Sequence, residues 1–462
     1  MLRDRYDPMN LFDLVPALSI ELDPVLTELD RLLDDDILFQ TVKADLAKRH
    51  PRTLLDGRPS TPVEVILRML VVKHLYRWSY EAVEQWVSDS LVLRQFCRVY
   101  AQAVPDDTTL IRWANLIQPA SLHHLLDHVV DLARHLKVTR GRKLRIDGTV
   151  VESNIHHPTD SSLLYDGVRV LSRTLHKAKQ ILLDTTEQVR DACRSRTRSA
   201  KRAMMRIMQT ARRRGEQAEQ ALQLAYQHLL SVSEASVQQA QHLATVLHEQ
   251  KGSRAQRLVK SLEHYIPLVQ QVIEQTRRRV LLGEQVPASE KLVSLFEPHT
   301  AIIGKGKPGK STEFGRMVWL SEVDGGLISR YAVLSGNPDD AEQLVPSLDH
   351  HIAVFNKPPR VLAGDRNVAT PGNERYAQRQ GVKQVVLPKS GAKTEARVAY
   401  ERQRWGARGC NWRAGIEGRI SGLKRGHGLS RCRYHGDEGM ERWVGWGLIT
   451  YDLRTIAQAA SH

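Results

Sequence analysis

Five charged residues in this chain have the types and spacing that suit metal-assisted chemistry on a phosphate ester. Arg413, Glu417 and Lys424 fall at i, i+4 and i+11, so on a helix they share one face within about a quarter of a turn. Far upstream, two apolar runs end in Asp147 and Asp365. Two strand-end aspartates and a helical glutamate form a plausible two-metal carboxylate site, which makes these three the candidate catalytic and metal-binding residues.

The chemistry of the ligands indicates which ion the site would take. Carboxylate oxygens are hard donors, so Mg²⁺ or Mn²⁺ is the expected cofactor, with two ions per site. Arg413, Lys424 and the adjacent Arg425 are the cations expected to contact phosphates near the reacting bond. Glu152 follows Asp147 by an odd offset and should lie on the opposite face of a continuing strand, which excludes it from the site.

The charge of the chain favours a polyanionic partner. Its 462 residues carry a formal net charge of +15, and nucleic acid is the first partner to consider, although a merely basic surface is the alternative. Residues 173–214 hold thirteen Lys or Arg against three Asp or Glu, a net charge of +10. A solvated helical face would also explain this stretch, but a DNA-clamping role is favoured, with contacts expected from Arg196, Arg198, Lys201 and Arg202.

Cysteine usage and hydropathy indicate a cytosolic protein. The four cysteines are scattered without a C-x-x-C pair, so neither a disulfide framework nor a structural zinc site is expected. The N-terminus lacks the basic-then-apolar order of a signal peptide, and no run of about 18 apolar residues suggests a membrane span. We therefore expect a soluble cytosolic protein, which in a bacterium would associate with the nucleoid.

The pattern along the chain divides it into four segments. Residues 1–135 are predicted to be helical, which fits a helix-turn-helix DNA reader and a plain helical bundle equally well. Residues 136–158 begin an α/β domain that residues 299–462 complete. Between them, residues 159–298 are predicted to be a basic helical insertion whose heptad-like apolar positions suggest an antiparallel coiled-coil hairpin.

The order of strands and helices suggests a fold. Across the insertion it reads as a strand ending at Asp147, two strands joined at Asp324-Gly-Gly326, a helix, a strand ending at Asp365, a helix, a strand and a late helix with Glu417. That order matches an RNase H-like, retroviral-integrase-like α/β fold with a mixed sheet. In that fold the first and fourth strands each bring a carboxylate to a common edge, and a late helix supplies the third.

With these residues in place, the chain resembles the DDE transposases of bacterial insertion sequences. The late helix is similar to the signature Y-x2-R-x3-E-x6-K, matching at Arg413, Glu417 and Lys424, while Cys410 stands at the tyrosine position. The N-terminal segments 58–62, 76–80 and 105–110 resemble the helical domain that these transposases carry. The resemblance implies cleavage at terminal inverted repeats, transfer of 3′-hydroxyl ends to target DNA, and at least a dimer in the complex that joins two DNA ends.

One further motif suggests a different function. Residues 304–311 satisfy the Walker A pattern G-x-x-x-x-G-K-[ST], but a working P-loop needs a helix directly after it, and an extended segment is predicted there. A basic loop that contacts the DNA backbone through Lys305, Lys307 and Lys310 is the preferred interpretation. Two alternatives to the transposase stay open: a catalytically silent DNA-binding or regulatory relative, and an ATPase that uses this loop.

Overall fold

The protein consists of two compact units. The computed structural model describes residues 1–7, 22–182, 194–250, 252–304, 312–389 and 391–461. The first unit contains Met1–Glu152 and Arg316–His462, and the second unit contains Ser153–Gly315. The second unit is therefore an insertion between two parts of the first.

Among the described residues, seven helices precede the sheet in the first unit. Asp23, Asp35, Ser79 and Asp106 accept backbone N–H bonds at the starts of four of them, as N-cap residues do. The third helix is buried on nearly every side, as its continuous apolar run predicts. The helices are α1 (Pro24–Leu33), α2 (Asp36–Ala47), α3 (Val63–Tyr76), α4 (Tyr80–Asp89), α5 (Leu91–Phe96), α6 (Asp107–Ala114) and α7 (Pro119–His135).

The sheet is mixed, which confirms the α/β prediction. The strands are β1 (Lys143–Glu152), β2 (Ala301–Gly304), β3 (Thr312–Val323), β4 (Ile328–Leu334), β5 (Val361–Ala363) and β6 (Gln384–Val386). Within the first unit the order is β4, β3, β1, β5 and β6. β5 runs parallel to both β1 and β6, whereas β3 and β4 form the predicted antiparallel hairpin.

In the described part of the second unit, four helices share an apolar core. They are α8 (Asp160–Ile181), α9 (Thr197–Thr210), α10 (Glu216–His248) and α11 (Ser253–Thr276). α8 packs against the other three, and a Cβ at Gly167 would lie 2.9 Å from a methyl of Val269 on α11. β2 pairs with Thr312–Gly315 of β3, and the backbone N–H of Ser153 donates to the carbonyl of Phe314 at 3.0 Å.

The remaining helices complete the first unit. They are α12 (Leu344–Phe355), α13 (Pro371–Arg379), α14 (Glu395–Arg402), α15 (Arg404–Gly426) and α16 (Asp437–Ala460). α16 packs on α1, α3 and α7, so the helices of residues 1–135 and the sheet share one core. The N-terminal helices therefore belong to the same compact unit as most of the sheet, whereas the sequence pattern predicts a separate domain over residues 1–135. In the described part of the chain, no helix has the length and apolar character that crossing a bilayer requires.

Candidate functional site

Asp147 lies within β1, not at its end as the sequence predicted, and Asp365 follows the end of the neighbouring strand β5. β1 and β5 run in parallel, and Arg145 pairs with Ala363 in their register. Asp147 and Asp365 each lie two residues beyond that pair, so their backbones are at matching positions along the two strands. Because side chains two residues apart point to the same face of a strand, Asp147 also lies on the Arg145 face of β1.

Electrostatics link Asp147 to the other charged groups at this end of the sheet. Burial, followed by the charges of Asp365 and Asp340, raises the pKa of Asp147 to about 6 from its usual 3.8. A hydrogen bond from the Gly148 N–H, at 2.8 Å, and the nearby Arg413 guanidinium act in the opposite direction. Asp147 is therefore held close to both acids and to one cation.

A third carboxylate, Asp340, lies beside this pair and was not predicted from the sequence. Its Oδ2 accepts from Asn367 Nδ2 at 3.3 Å, while Oδ1 of Asp365 accepts from the backbone N–H groups of Asn367 and Val368 at 2.9 and 3.2 Å. Burial first, and then Asp365, raise the pKa of Asp340. The local sequence signal is an acidic pair before a helix, which equally predicts the capping role that Asp339 fills.

The helix predicted around Glu417 is present as α15, and it contains Arg413, Glu417 and Lys424 at the predicted spacing. Ile416 is fully buried, and Gly409 lets the helix approach β6, since a Cβ there would lie 2.5 Å from a methyl of Val386. Arg413 lies near enough to Asp147 to shift its pKa, whereas Glu417 is exposed. Lys424 and Arg425 lie in the last turn of α15.

A buried ion-pair network fixes α15 to the sheet. Arg145 donates from Nε and Nη2 to the Glu322 carboxylate at 2.8 and 2.6 Å, and Arg419 on α15 donates to the same carboxylate at 3.2 Å. Arg145 also donates to the Trp412 carbonyl, and its guanidinium lies 4.9 Å from the centre of the Trp412 ring. The two partners of Glu322 are far from it in sequence, so no local pattern indicates this network.

The carboxylates fit a cation in type but do not form a complete ligand cluster. Asp147 and Asp365 provide hard oxygen donors, and the raised pKa of Asp147 shows that its negative charge is incompletely balanced. Within the described residues, no three acidic, histidine or cysteine side chains lie close enough together to hold a metal ion. The pair therefore suits a divalent cation, while Glu417 does not reach it in this arrangement.

The other candidate DNA contacts lie in the second unit. Arg198, Lys201 and Arg202 are exposed on α9, while Arg196 precedes the helix and its Nε donates to Gln239 Oε1 on α10 at 3.3 Å. Lys305, Lys307 and Lys310 fall outside the described residues. The Walker-like segment lies between β2 and β3, so a strand follows it as predicted, and not the helix that a P-loop requires.

Comparison with known proteins identifies the class of protein. Residues 16–116 match the profile of a transposase domain, DUF772. The chain is also 30% identical over 165 residues to the uncharacterized protein ORF8 in the nfe locus of Rhizobium meliloti, a match that covers 34% of this chain and 74% of the relative. No solved structure matches the chain significantly.

The profile match supports a transposase family for this chain, while the name of the relative adds no function. The transposase domain covers the N-terminal helices, whereas the candidate carboxylates lie outside the matched segment. The family therefore supports transposition as the general function, and the chemistry must be argued from the site itself.

Proposed function

We propose that this chain is a metal-dependent DNA transposase of the DDE type with an RNase H-like catalytic sheet. It would cut double-stranded DNA at the terminal inverted repeats of its element and transfer the 3′-hydroxyl ends to target DNA. Asp147, Asp365 and Glu417 are the proposed catalytic and metal-binding residues. The active complex would contain at least two copies of the chain, because two DNA ends must be joined.

The observation that carries this proposal is the level pair of aspartates on β1 and β5. Because β1 and β5 are parallel neighbours, the two carboxylates lie at matching positions along the strands. The negative charge of Asp365 contributes to the raised pKa of Asp147. Burial is the largest cause of the raised pKa of Asp147, so its carboxyl group is held there with little solvent. A structural role as turn residues would not require this burial.

The chain's own residues would divide the work between binding and positioning. Asp147 and Asp365 would hold Mg²⁺ or Mn²⁺ ions, with Glu417 completing the site when DNA and metal are present. When bound, the ions would activate a water or a 3′-hydroxyl group and stabilise the leaving oxygen at phosphorus. Arg413 would hold the phosphate beside Asp147, while the Arg145–Glu322–Arg419 network keeps α15 in place.

Cleavage of the DNA that flanks this gene tests the proposal. A plasmid carrying those flanks is incubated with wild type, Asp365→Asn or Asp339→Asn, in Mg²⁺ or EDTA. We expect metal-dependent nicks at defined ends that disappear in Asp365→Asn and persist in Asp339→Asn, because Asp339 is an exposed cap whose role asparagine can also fill. Tight binding without cleavage in any metal would exclude the enzyme.

One observation favours a second candidate, a DNA-binding relative that does not cut. Glu417 is exposed on α15, outside the cluster of Asp147, Asp340 and Asp365. If Glu417→Gln cuts as fast as wild type, the triad assignment is wrong. If neither protein cuts but both bind the flanking DNA, the silent relative is correct.

A further inference from the structure

Helix α9 presents one continuous polar and cationic face to solvent. Its opposite face, formed by Ala200, Ala203, Ile207 and Thr210, is buried where the helix packs against α8 and α10. Because these positions recur at three- and four-residue intervals, the exposed side chains align along the full length of the helix. An open groove of about 580 Å³ runs along this face and is lined by Arg198, Lys201, Arg202, Met205, Arg206 and Gln209.

The cations on this face lack the carboxylate partners that some other arginines of the second unit have. Within the described chain, no ion pair to a carboxylate involves Arg198, Lys201, Arg202 or Arg206. By contrast, Arg278 on the turn after α11 pairs with Glu284 at 2.7 Å and with Glu290 at 2.8 Å. The α9 cations also include residues of the first turn, where the helix dipole disfavours positive charge. An external anion would balance both the charge repulsion and this dipole effect.

The uncharged residues on the same face indicate more than phosphate binding. Met205 and Met208 leave 44% and 48% of their surfaces in solvent, beside Gln209 and between the arginines. Arginine pairs with the guanine edge, glutamine with the adenine edge, and apolar side chains contact the thymine methyl group in the major groove. A purely electrostatic clamp needs none of these uncharged groups. At 14 residues α9 is about 21 Å long, and the major groove of B-DNA admits a helix.

We propose that α9 is a recognition helix that enters the major groove and reads base edges through Arg202, Met205, Arg206 and Gln209. This inference deepens the proposed function, since it assumes that the chain acts on DNA, and it assigns sequence reading to the insertion. The partner is duplex DNA and not a lipid surface. A membrane-bound helix needs a free apolar face, and the apolar face of α9 is already buried in the four-helix core.

Selection of binding sites by the full chain tests the proposal. The preferred duplex is selected from a random pool, and affinity for it and for unrelated duplex is then measured over a range of salt concentrations. The variants are Met205→Ala/Gln209→Ala, which conserves charge, Arg202→Ala, and the paired control Arg278→Ala. All these sites are on exposed surface or in a peripheral ion pair, and thermal melting verifies that each variant is folded.

Distinct outcomes are expected for the three variants. The neutral double variant should lose about five- to hundred-fold in affinity for the selected site, with unrelated duplex bound as by wild type. Arg202→Ala should weaken binding to both duplexes, to the selected one more strongly, and reduce the salt slope by about 1, and Arg278→Ala should change neither affinity.

Three results would overturn the assignment. They are an unenriched pool, a neutral variant with unchanged selectivity, and binding to anionic vesicles in preference to DNA. The cleavage test with Asp365→Asn is independent, because a chain that reads DNA without cutting would support this inference while contradicting the proposed enzyme.

Discussion

Asp147 is a carboxylate whose ionisation the fold opposes. Burial and the neighbouring acids raise its pKa to about 6, above the usual value of 3.8. Because the folded pKa exceeds the unfolded one, ionisation destabilises the folded state. The penalty is fully present above about pH 7 and disappears below about pH 4, where the carboxyl is protonated in both states.

Replacing this residue should make the metal-free protein more stable. At pH 7.5 in EDTA, we expect Asp147→Asn to raise the free energy of unfolding by about 2 kcal/mol and to abolish cleavage. Urea denaturation at pH 7.5 and pH 4 measures the effect, which should vanish at the lower pH. Asp339→Asn is the matched control and should change neither property. A destabilised Asp147→Asn at pH 7.5 would show that the carboxylate is stabilised by its surroundings.

At the scale of single residues, the sequence predicts the pair Asp147 and Asp365 but not the acid beside them, Asp340. Asp147 and Asp365 follow short apolar runs, and buried parallel strands read as such runs. Asp340 reaches them only through the turn before α12, and its hydrogen bond with Asn367 spans 27 residues. The alternation of side chains along a strand gives no information about contacts between residues far apart in sequence. Asp340 could therefore be identified only in the structure.

Among the elements, α15 depends on one buried carboxylate. Glu322 accepts from two arginines, one on β1 and one on α15, and loss of its charge would leave the buried Arg145 without its counterion. Breaking a buried ion pair by removing one partner destabilises by about 3–5 kcal/mol. Movement of α15 would also displace Arg413 from Asp147.

Neutralising Glu322 should therefore affect both stability and cleavage. For Glu322→Gln we expect a loss of about 3 kcal/mol in the free energy of unfolding and slower cleavage. Glu152→Gln is the control, because Glu152 pairs with the half-exposed Arg431 at 2.8 Å and a surface pair contributes about 1 kcal/mol or less. Urea denaturation measures both variants. Equal losses in the two would contradict an anchoring role for Glu322.

A second buried charge, Lys73 of α3, links the N-terminal helices to α16. Its Nζ lies 4.7, 4.9 and 5.1 Å from the ring centres of Tyr80, Tyr434 and Trp443. The ring faces favour the ammonium ion, but burial has the larger effect and lowers the pKa of Lys73 to about 7. The folded state therefore releases this proton at a lower pH than the unfolded state does.

The stability of the first unit should consequently rise with pH. Between about pH 7 and pH 9 the unfolded lysine keeps its proton while the folded one loses it, so we expect the free energy of unfolding to increase by about 2 kcal/mol. Lys73→Met should remove this increase. The control Lys143→Met, at an exposed lysine over a single ring, should keep it. Urea denaturation at the two pH values measures the increase in the free energy of unfolding. An increase that persists in Lys73→Met would contradict its assignment to Lys73.

Elements whose sequence patterns depend on adjacent residues could be predicted, whereas the buried side of a helix such as α15 could not. The sequence predicted the hairpin at residues 324–326 and the strand after the Walker-like loop, because each depends on adjacent residues. The buried contacts of α15 could not be predicted, because glycines and arginines interrupt its apolar spacing, and Ile416, next to Glu417, is one of the residues that is buried.

At the scale of the whole molecule, the chain divides into two compact units. Each has its own apolar core, and the chain enters and leaves the second unit at residues joined by the Ser153–Phe314 hydrogen bond. A two-residue turn closes a hairpin between residues paired in this way. The first unit should therefore fold without the insertion.

Removing the insertion tests this expectation. A chain in which Asn-Gly replaces residues 154–313 should unfold cooperatively, with the far-ultraviolet circular dichroism of a helical and strand-containing protein. It should bind duplex DNA at least about tenfold more weakly with a shallower salt dependence, because the basic stretch is gone. An aggregated product would show that the sheet needs the insertion, and unchanged affinity would show that the main DNA contacts lie elsewhere.

The hydrogen bond between Ser153 and Phe314 lies at a junction where the gene could gain or lose the insertion. Both ends of the four-helix insertion meet across a single strand spacing, about 5 Å. One in-frame exchange of a DNA segment at this junction can thus add, remove or replace the whole insertion without altering the strands on either side. Relatives can then acquire new DNA preferences in one genetic step while keeping the same aspartates.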